Sequence, residues 1–173
     1  IPVYHRMGYV RERIGPGAEA AVPHSHYRCK DGKWVAIACT TQRMFERLCE
    51  AMGRPDILQK PAFQNMPARL QHREETDALV SEWVAHHPAA EVIRLLDEAE
   101  VPVGLVNSVQ DLLADPQVQA RENIVEINDP MVGKLKIPGI LPRLSFTPGM
   151  VRSSAPSTPG QDNESVYCGL LGL

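Results

Sequence analysis

The chain has 173 residues, of which 43% are hydrophobic and 23% are charged, and its formal net charge is -3. This balance is typical of a globular protein and excludes a disordered chain. A net charge this small gives no sign of a nucleic-acid or membrane surface, and no apolar run approaches the ~20 residues that span a bilayer.

The four cysteines indicate a reducing environment. Their spacing contains no C-x-x-C pair and no zinc pattern, and each lies among apolar residues, as buried free thiols do. We therefore expect reduced thiols, a cytoplasmic protein and no bound metal. The four cysteines are Cys29, Cys39, Cys49 and Cys168.

The sequence begins IPVYHRMGYV, without an initiator Met, and we expect a fragment or a processed chain.

Residues 1–25 are predicted to be a linker or loop that enters a small domain. They show little hydrophobic periodicity, and Gly15-Pro16-Gly17 marks a turn or flexible loop. Arg6, Arg11 and Arg13 make the segment basic. A solvated connector is favoured over an anion-binding loop.

Residues 26–39 predict a β-hairpin. Asp31-Gly32 is a strong signal for a two-residue turn, because a type I′ turn needs positive φ at both positions. That turn pairs Tyr27 with Ala36. Residues 34–39 form a continuous apolar run, as in a strand that is buried on both faces.

A helix follows the hairpin. Thr40 or Thr41 is predicted to cap its start, and Gly53 suits the left-handed position after its end. Arg43 and Arg47 are expected to face solvent. The apolar stripe of this helix is Met44, Phe45, Leu48, Cys49 and Met52.

The following elements complete a predicted small α/β domain at 26–123. They are a helix at about 69–86, a helix that begins near Pro88, a short strand or extended segment at 101–106, a short helix capped by Asn107 or Ser108, and another capped by Asp115.

The last part of the chain, 124–173, is predicted to hold a second hairpin, an extended return segment and a C-terminal helix. The hairpin strands are expected at 124–127 and 134–137. Five prolines between 138 and 159 indicate a long ordered crossing, and the short helix is expected at about 162–171. The fold class is therefore α/β, with short antiparallel hairpins, several helices and a proline-rich segment.

No pattern predicts a self-contained active site. His24 and His26 would lie on one face of a strand, but no third ligand is near in sequence, and solvent-exposed histidines are favoured over a metal site. Glu74-Glu75 and the acidic group Asp97, Glu98 and Glu100 are more typical of solvated helix faces than of acid–base catalysis. Buried thiols have raised pKa values and are inert. Glycine spacings of P-loop or Rossmann type are absent.

Four ordered sequence blocks carry a family resemblance. The blocks are YRCKDGKWVAIACTTQRMFERLCEAMGRPD at 27–56, EAEVPVGLVNSVQDLLADPQVQAREN at 98–123, DPMVGKLKIPGILPRLSFTPG at 129–149, and the closing PGQDNESVYCGLLGL. Together they resemble the class III CoA-transferase (CaiB/BaiF) family, and the resemblance covers essentially all of the chain from about Arg13 onward.

The resemblance implies a fold and a reaction. Proteins of this family are more than twice as long, with a Rossmann-like large domain, a small α/β domain and linkers, and two chains interlock as a homodimer. They transfer CoA from an acyl-CoA to a free carboxylic acid. An aspartate attacks the thioester, and enzyme-bound anhydride and thioester intermediates follow. Coenzyme A and acyl-CoA are substrates, and no cofactor is bound permanently.

The resemblance places the reacting aspartate upstream of this chain. No catalytic residue is therefore expected here: Asp31 is predicted to be a turn residue and Asp115 a helix cap. Family proteins carry a glycine-rich loop before the hairpin, which closes over the intermediate. Gly15 and Gly17 are the candidates for that active-site loop in this chain. Related racemases carry a glutamate where Thr41 stands, which favours a transferase.

Two hypotheses follow from the sequence. The first is that the chain is the C-terminal part of a CoA-transferase, completed by an N-terminal half of the same protein and inactive alone. The second is a non-catalytic binding or dimerisation module. An acyl-CoA racemase or epimerase of the same fold is a further alternative.

Overall fold

A computed structural model describes all 173 residues of the chain. The residue contacts divide it into two units, Ile1–Asn107 and Ser108–Leu173. No helix in either unit has the length and hydropathy of a bilayer-spanning segment.

The first unit combines three strands with five α-helices and two short 3-10 helices. In chain order these are α1 (Pro2–Met7), β1 (His24–Arg28), β2 (Trp34–Ala38), α2 (Gln42–Ala51), the 3-10 helices Pro55–Gln59 and Pro61–Phe63, α3 (Met66–Gln71), α4 (Arg73–Ala85), α5 (Ala89–Glu98) and β3 (Val103–Leu105). The sequence predicted no element where α1 lies.

The three strands form one antiparallel sheet in the order β1-β2-β3. One face of the sheet carries buried side chains, among them Tyr27, Val35 and Ile37. Helix α4 contacts β1, and α5 contacts β2 and β3. Residues of these helices, such as Val80 and Val92, complete the hydrophobic core, so the helices cover one face of the sheet.

The turn between β1 and β2 is one residue longer than predicted. The Gly32 N–H donates a hydrogen bond to the Cys29 carbonyl at 3.0 Å, and Gly32 has a φ of 80°. This geometry is a three-residue loop that closes with a left-handed glycine. The predicted register was therefore wrong, since Tyr27 lies opposite Val35 and not Ala36.

Strand β2 is buried on one face only, in contrast to the prediction. Val35 and Ile37 are buried, whereas Ala36 and Ala38 are partly exposed and Trp34 is 45% exposed. The apolar run did not indicate burial on both faces, because alanine is compatible with both a core and a partly open face.

Helix α2 confirms its predicted caps. The Thr41 hydroxyl accepts a hydrogen bond from the Met44 N–H at 3.3 Å. Gly53 follows the helix with a φ of 69°. Phe45 and Leu48 point into the core, as the apolar stripe predicted.

The predicted helix at 69–86 is two helices. Its backbone breaks at His72, which has φ -112° and ψ 39° and links the end of α3 to the start of α4. Pro88 is the N-cap of α5, so this helix begins beside the proline that marked its start in the sequence.

The second unit contains two short helices, a hairpin and a C-terminal helical segment. These are α6 (Val109–Ala114), α7 (Pro116–Ala120), β4 (Ile124–Asp129), β5 (Gly133–Pro138) and the π-helical segment Glu164–Leu170. Ser108 and Asp115 cap α6 and α7, as predicted, and β4 pairs with β5 as the predicted second hairpin.

The boundary between the units differs from the predicted division at residue 123. Side chains of α6 and α7, among them Leu113 and Val118, share a small cavity with Ile124 and Lys136 of the hairpin. The two helices therefore belong with the hairpin in the second unit. The mixed α/β fold class, with short antiparallel hairpins and several helices, is confirmed.

The C-terminal segment is exposed, although its sequence is largely apolar. Leu170 is 79% exposed and Leu173 81%. Cys168 is also exposed, so the prediction of four buried thiols holds for three of them.

Candidate functional site

The loop Gly15-Pro16-Gly17 lies beside the start of the first strand. The Ala18 N–H donates to the His24 carbonyl at 3.0 Å, so the residue after the loop is bonded to β1. Gly15 has a φ of 73°, a conformation that favours glycine. A Cβ on Gly17 would meet its nearest atoms at an ordinary 3.8 Å. The backbone therefore requires glycine at the first of these two positions only.

Two arginines hold the segment between this loop and β1. Arg73 donates to the carbonyls of Glu19 at 2.7 Å and Ala21 at 3.4 Å. Arg69 donates to the carbonyl of Val22 at 3.0 Å. The segment is therefore fastened to α3 and α4 by donors that sequence reasoning missed, because no local pattern marks an arginine that bonds residues 47 to 54 positions away.

Arg69 is a fully buried cation without a carboxylate partner. Besides Val22, it donates to the side-chain oxygen of Gln42 at 2.5 Å and the carbonyl of Phe63 at 3.3 Å. Its guanidinium carbon lies 4.2 Å from the centroid of the Phe45 ring, a cation–π geometry. Burial lowers the pKa of Arg69. Neutral oxygens and an aromatic ring thus take the place of a counterion.

The other face of the first unit's sheet, which we call the open face, carries small side chains at its centre. His26, Ala36 and Gly104 lie side by side across the three strands, and His24 lies opposite Ala38. His26 is exposed, and the other four of these residues are partly exposed. The face is therefore a shallow floor with two imidazoles along one side.

A cleft of about 330 Å³ lies over this open face. Pro16 of the loop and Pro102 line its sides, and its only ionisable lining residues are His24 and His26. A Cβ added to Gly104 would meet nothing within 4 Å, so the space above the floor is open. The volume lies near the lower end of the range for small-molecule sites, about 300–1,000 Å³.

His24 has an unpaired ring nitrogen. Its Nδ1 is buried and has no hydrogen-bond partner, whereas Nε2 is not buried. Nδ1 is unpaired in either tautomer of the neutral ring, as a buried donor or as a buried acceptor, and an unpaired buried group costs free energy. In the tautomer with its hydrogen on Nε2, His24 offers a donor to a ligand.

Asp31 has a structural role outside this cleft. Its carboxylate accepts hydrogen bonds from the N–H groups of Lys33 and Ala89, both at 3.2 Å. It is the turn residue that the sequence predicted, and it also caps α5 from a distant part of the chain. The capping was not predicted, because it joins residues 58 positions apart.

The thiols do not form a nucleophilic site. Burial raises the pKa values of Cys39 and Cys49 to about 12, although the nearby Arg69 charge opposes that shift. Burial also raises the pKa of Cys29. These three groups stay protonated near neutral pH.

The acidic groups are likewise spread over helix surfaces. Glu74-Glu75 is exposed, and Glu98 pairs with Arg94 at 2.9 Å. Glu100 pairs with Arg47 at 2.6 Å, and the Arg47 side chain is only 29% exposed. Arg43 is exposed, as predicted, whereas Arg47 is only partly exposed because of this ion pair. No three His, Cys, Asp or Glu side chains are close enough to hold a metal ion.

The second unit contains a separate cleft of about 500 Å³, between the hairpin and the extended segment. Glu122 and Arg143 form an ion pair at its edge, with 2.5 Å between the charged atoms. Most of its other lining residues are apolar, such as Ile140 and Met150. Glu126 also lines the cleft and pairs with Lys134 at 3.1 Å, so each of its charged residues has an ion-pair partner.

Solved structures define the class of this fold. A CaiB/BaiF family protein from Brucella suis superposes with a TM-score of 0.73 at 23% sequence identity, over 96% of this chain and 42% of that chain. A CaiB/BaiF fold thus includes the hairpin and helices of the first unit. It also includes the hairpin of the second unit.

The sequence comparison identifies the family. The family model of CoA-transferase family III matches residues 1–163, and the chain belongs to that family. The resemblance stated from the sequence alone is confirmed.

Relatives in this family are CoA-transferases. The α subunit of succinyl-CoA–L-malate CoA-transferase from Chloroflexus aurantiacus is 45% identical over 155 residues, which cover 90% of this chain and 36% of the relative. Succinyl-CoA–D-citramalate CoA-transferase from the same organism is 36% identical over 173 residues, 100% of this chain and 43% of the relative. Formyl-CoA:oxalate CoA-transferase from Streptomyces coelicolor is 32% identical over 75% of this chain and 31% of its own length. The chain therefore spans less than half the length of these relatives.

Proposed function

We propose that the chain is the C-terminal part of a CoA-transferase that moves CoA from an acyl-CoA to a free carboxylic acid. The observation that carries the proposal is the family match over residues 1–163, with 45% identity to a succinyl-CoA–L-malate CoA-transferase subunit. Succinyl-CoA and L-malate are therefore the first donor and acceptor to test. CoA and its esters are substrates, and no permanent cofactor is part of the proposal.

The proposed reaction passes through an aspartate supplied by the N-terminal half. Its carboxylate attacks the thioester carbonyl, and the CoA thiolate leaves to give a mixed anhydride. The thiolate then attacks the aspartyl carbonyl, which releases the donor acid and leaves an aspartyl-CoA thioester. The acceptor carboxylate attacks the aspartyl-CoA thioester and expels the CoA thiolate, which gives a second mixed anhydride. The thiolate then attacks the acceptor's acyl carbonyl, which forms the new CoA ester and frees the aspartate. Covalent catalysis divides one transfer into steps that each exchange one activated acyl bond for another.

The proposed role of this chain is to shield those intermediates. Gly15 and Gly17 belong to the loop that lines the cleft, and Arg69 and Arg73 fix the segment behind that loop. Anhydrides and thioesters hydrolyse in water, so a fixed wall that excludes water protects the transfer.

Chromatography of CoA esters tests the proposal in the full-length protein. Succinyl-CoA and L-malate should yield a new CoA ester and free succinate. Substitution of the upstream aspartate by alanine should abolish the product, while Asp31→Asn should retain it. An unchanged rate in the upstream variant would contradict the proposed mechanism.

A binding or dimerisation module is the second candidate. The exposed apolar residues of the C-terminal segment favour it, among them Leu170, Leu171 and Leu173. Turnover by the 173-residue chain alone would refute a purely non-catalytic role. We also propose an interlocked homodimer for the full-length protein and a cytoplasmic location. Light scattering tests the first, and cell fractionation tests the second.

A racemase or epimerase is a weaker alternative. Thr41 stands where the related racemases carry a glutamate, and its hydroxyl already caps α2 by accepting from the Met44 N–H. Exchange of the α-hydrogen of a 2-methylacyl-CoA in deuterated water distinguishes the two reactions, since the proposed transfer leaves that hydrogen in place.

A further inference from the structure

We propose that the cleft over the open face seats the acyl chain of a short dicarboxylic substrate, and that His24 donates its Nε2–H to the carboxylate that does not react. This inference rests on the proposed CoA transfer and adds to it a specificity-determining residue. His24 would select the acid, while the reaction itself would occur at the other end of the molecule.

The shape of the cleft suits a short chain. Ala36, Ala38 and Gly104 form its floor on adjacent backbone strands. Such a floor cannot move aside as a flexible side chain would. The absence of any atom within 4 Å of a Cβ placed on Gly104 leaves room for an acyl chain at the centre of the sheet. The cleft volume of about 330 Å³ suits a molecule of a few carbon atoms better than a large ligand.

The polarity of the cleft suits an anionic group. No aspartate or glutamate lines it, and its ionisable groups are the imidazoles of His24 and His26. The Nδ1 of His24 is buried and unpaired, which leaves Nε2 as the ring atom that can meet a ligand, and with its hydrogen on Nε2 the neutral ring offers a donor. A carboxylate only accepts hydrogen bonds, so the Nε2–H and a carboxylate oxygen are complementary.

Filling the cleft tests the proposed position. Gly104→Leu in the full-length protein adds bulk at a site with open space and without a positive φ, so the fold should persist. The KM for the acceptor acid should rise at least tenfold. Ala78→Leu is the matched control, because it places the same side chain on the exposed surface of α4, and it should change that KM less than twofold.

Removing the donor tests His24 itself. His24→Phe keeps a planar ring and loses the N–H. The preference for succinate over butyrate as acceptor, measured as the ratio of kcat/KM values, should fall at least tenfold. His24→Gln restores a side-chain N–H and should recover part of that preference. His72→Phe changes an exposed histidine outside the cleft and should leave the ratio unchanged.

The outcomes separate this inference from the proposed function. If the wild-type protein transfers CoA but the ratio is the same in His24→Phe, the role of His24 is wrong and CoA transfer stands. If Gly104→Leu changes the oligomeric state without changing the KM, the cleft holds polypeptide and the inference is wrong. Absence of CoA transfer by the wild-type protein would overturn both.

Discussion

Arg69 donates its Nε–H to the Val22 carbonyl at 3.0 Å inside the core of the first unit. This bond ties α3 to the segment that leads from the loop Gly15-Pro16-Gly17 into β1. The same guanidinium reaches Phe63 and Gln42. One buried side chain thus joins the entrance to the sheet with the start of α2 and the second 3-10 helix.

Arg69→Met should destabilise the chain by about 3 kcal/mol. Methionine fills much of the space, but it leaves the buried carbonyls of Val22 and Phe63 without their donor, and each unpaired buried group costs about 1–3 kcal/mol. Urea unfolding monitored by circular dichroism measures the change. Arg94→Met is the control, because Arg94 forms an exposed helix pair with Glu98, and it should cost less than about 0.5 kcal/mol. Equal effects of the two substitutions would contradict the anchoring role of Arg69.

Asp31→Ala should cost about 1 kcal/mol of stability and leave CoA transfer by the full-length protein intact. The loss follows from removal of the acceptor that caps the Ala89 N–H at the start of α5. Asp31→Asn keeps an oxygen acceptor and should cost less. A folded Asp31→Ala protein without CoA-transfer activity would show that this aspartate has a catalytic role, contrary to its assignment here.

The stability of the chain should fall above about pH 9. Burial raises the pKa values of Cys39 and Cys49 from 9.0 to about 12. Burial, with the hydrogen bond to Asp77, also raises the pKa of Tyr27. Groups with raised pKa values in the folded state bind protons more tightly there, so their contribution is complete below pH 9 and is lost as pH rises toward 12.

Urea unfolding at pH 7.5 and pH 10 measures this dependence. Each group contributes at most about 1.4 kcal/mol per pH unit. Cys49→Ala should lower stability at both pH values through the cavity it creates, but it should reduce the difference between them. A free energy of unfolding that is equal at pH 7.5 and pH 10 would contradict the burial of these groups.

One thiol should react rapidly with a disulfide reagent such as dithionitrobenzoate at pH 8. Cys168 is exposed, while Cys29, Cys39 and Cys49 are buried. Cys168→Ser should remove the fast phase, and urea should release the three slow thiols. More than one fast thiol in the native chain would mean that the core of the first unit opens readily.

Local signals predicted local structure well. Gly53 and Asp115 were predicted as end and cap residues, and the structure bears out both. Of the alternatives predicted for the other two caps, Thr40 or Thr41 and Asn107 or Ser108, the structure selects Thr41 and Ser108. The hairpin at 26–39 was also predicted correctly as an element. Its register was not, because Asp-Gly suits loops of two and three residues, and only the observed pairing of Tyr27 with Val35 distinguishes them.

Long-range contacts could not be predicted from local sequence patterns. Arg69 looked like an ordinary helical arginine, and nothing near it in sequence indicates its bond to Val22, 47 residues away. His24 was weighed as a metal ligand or a solvent-exposed residue. The burial of its unpaired Nδ1 appears only in the folded structure. The residues that shape the cleft belong to strands that are distant in sequence, so the fold must be known before the cleft can be seen.

The mass of the full-length protein after incubation with succinyl-CoA alone tests the central claim most directly. A transfer through an aspartyl thioester predicts release of succinate and a protein heavier by one CoA less water. Peptide mapping should place that adduct on an aspartate outside the 173 residues described here. An adduct on Asp31 or any other residue of this chain, or succinate release without an adduct, would contradict the account.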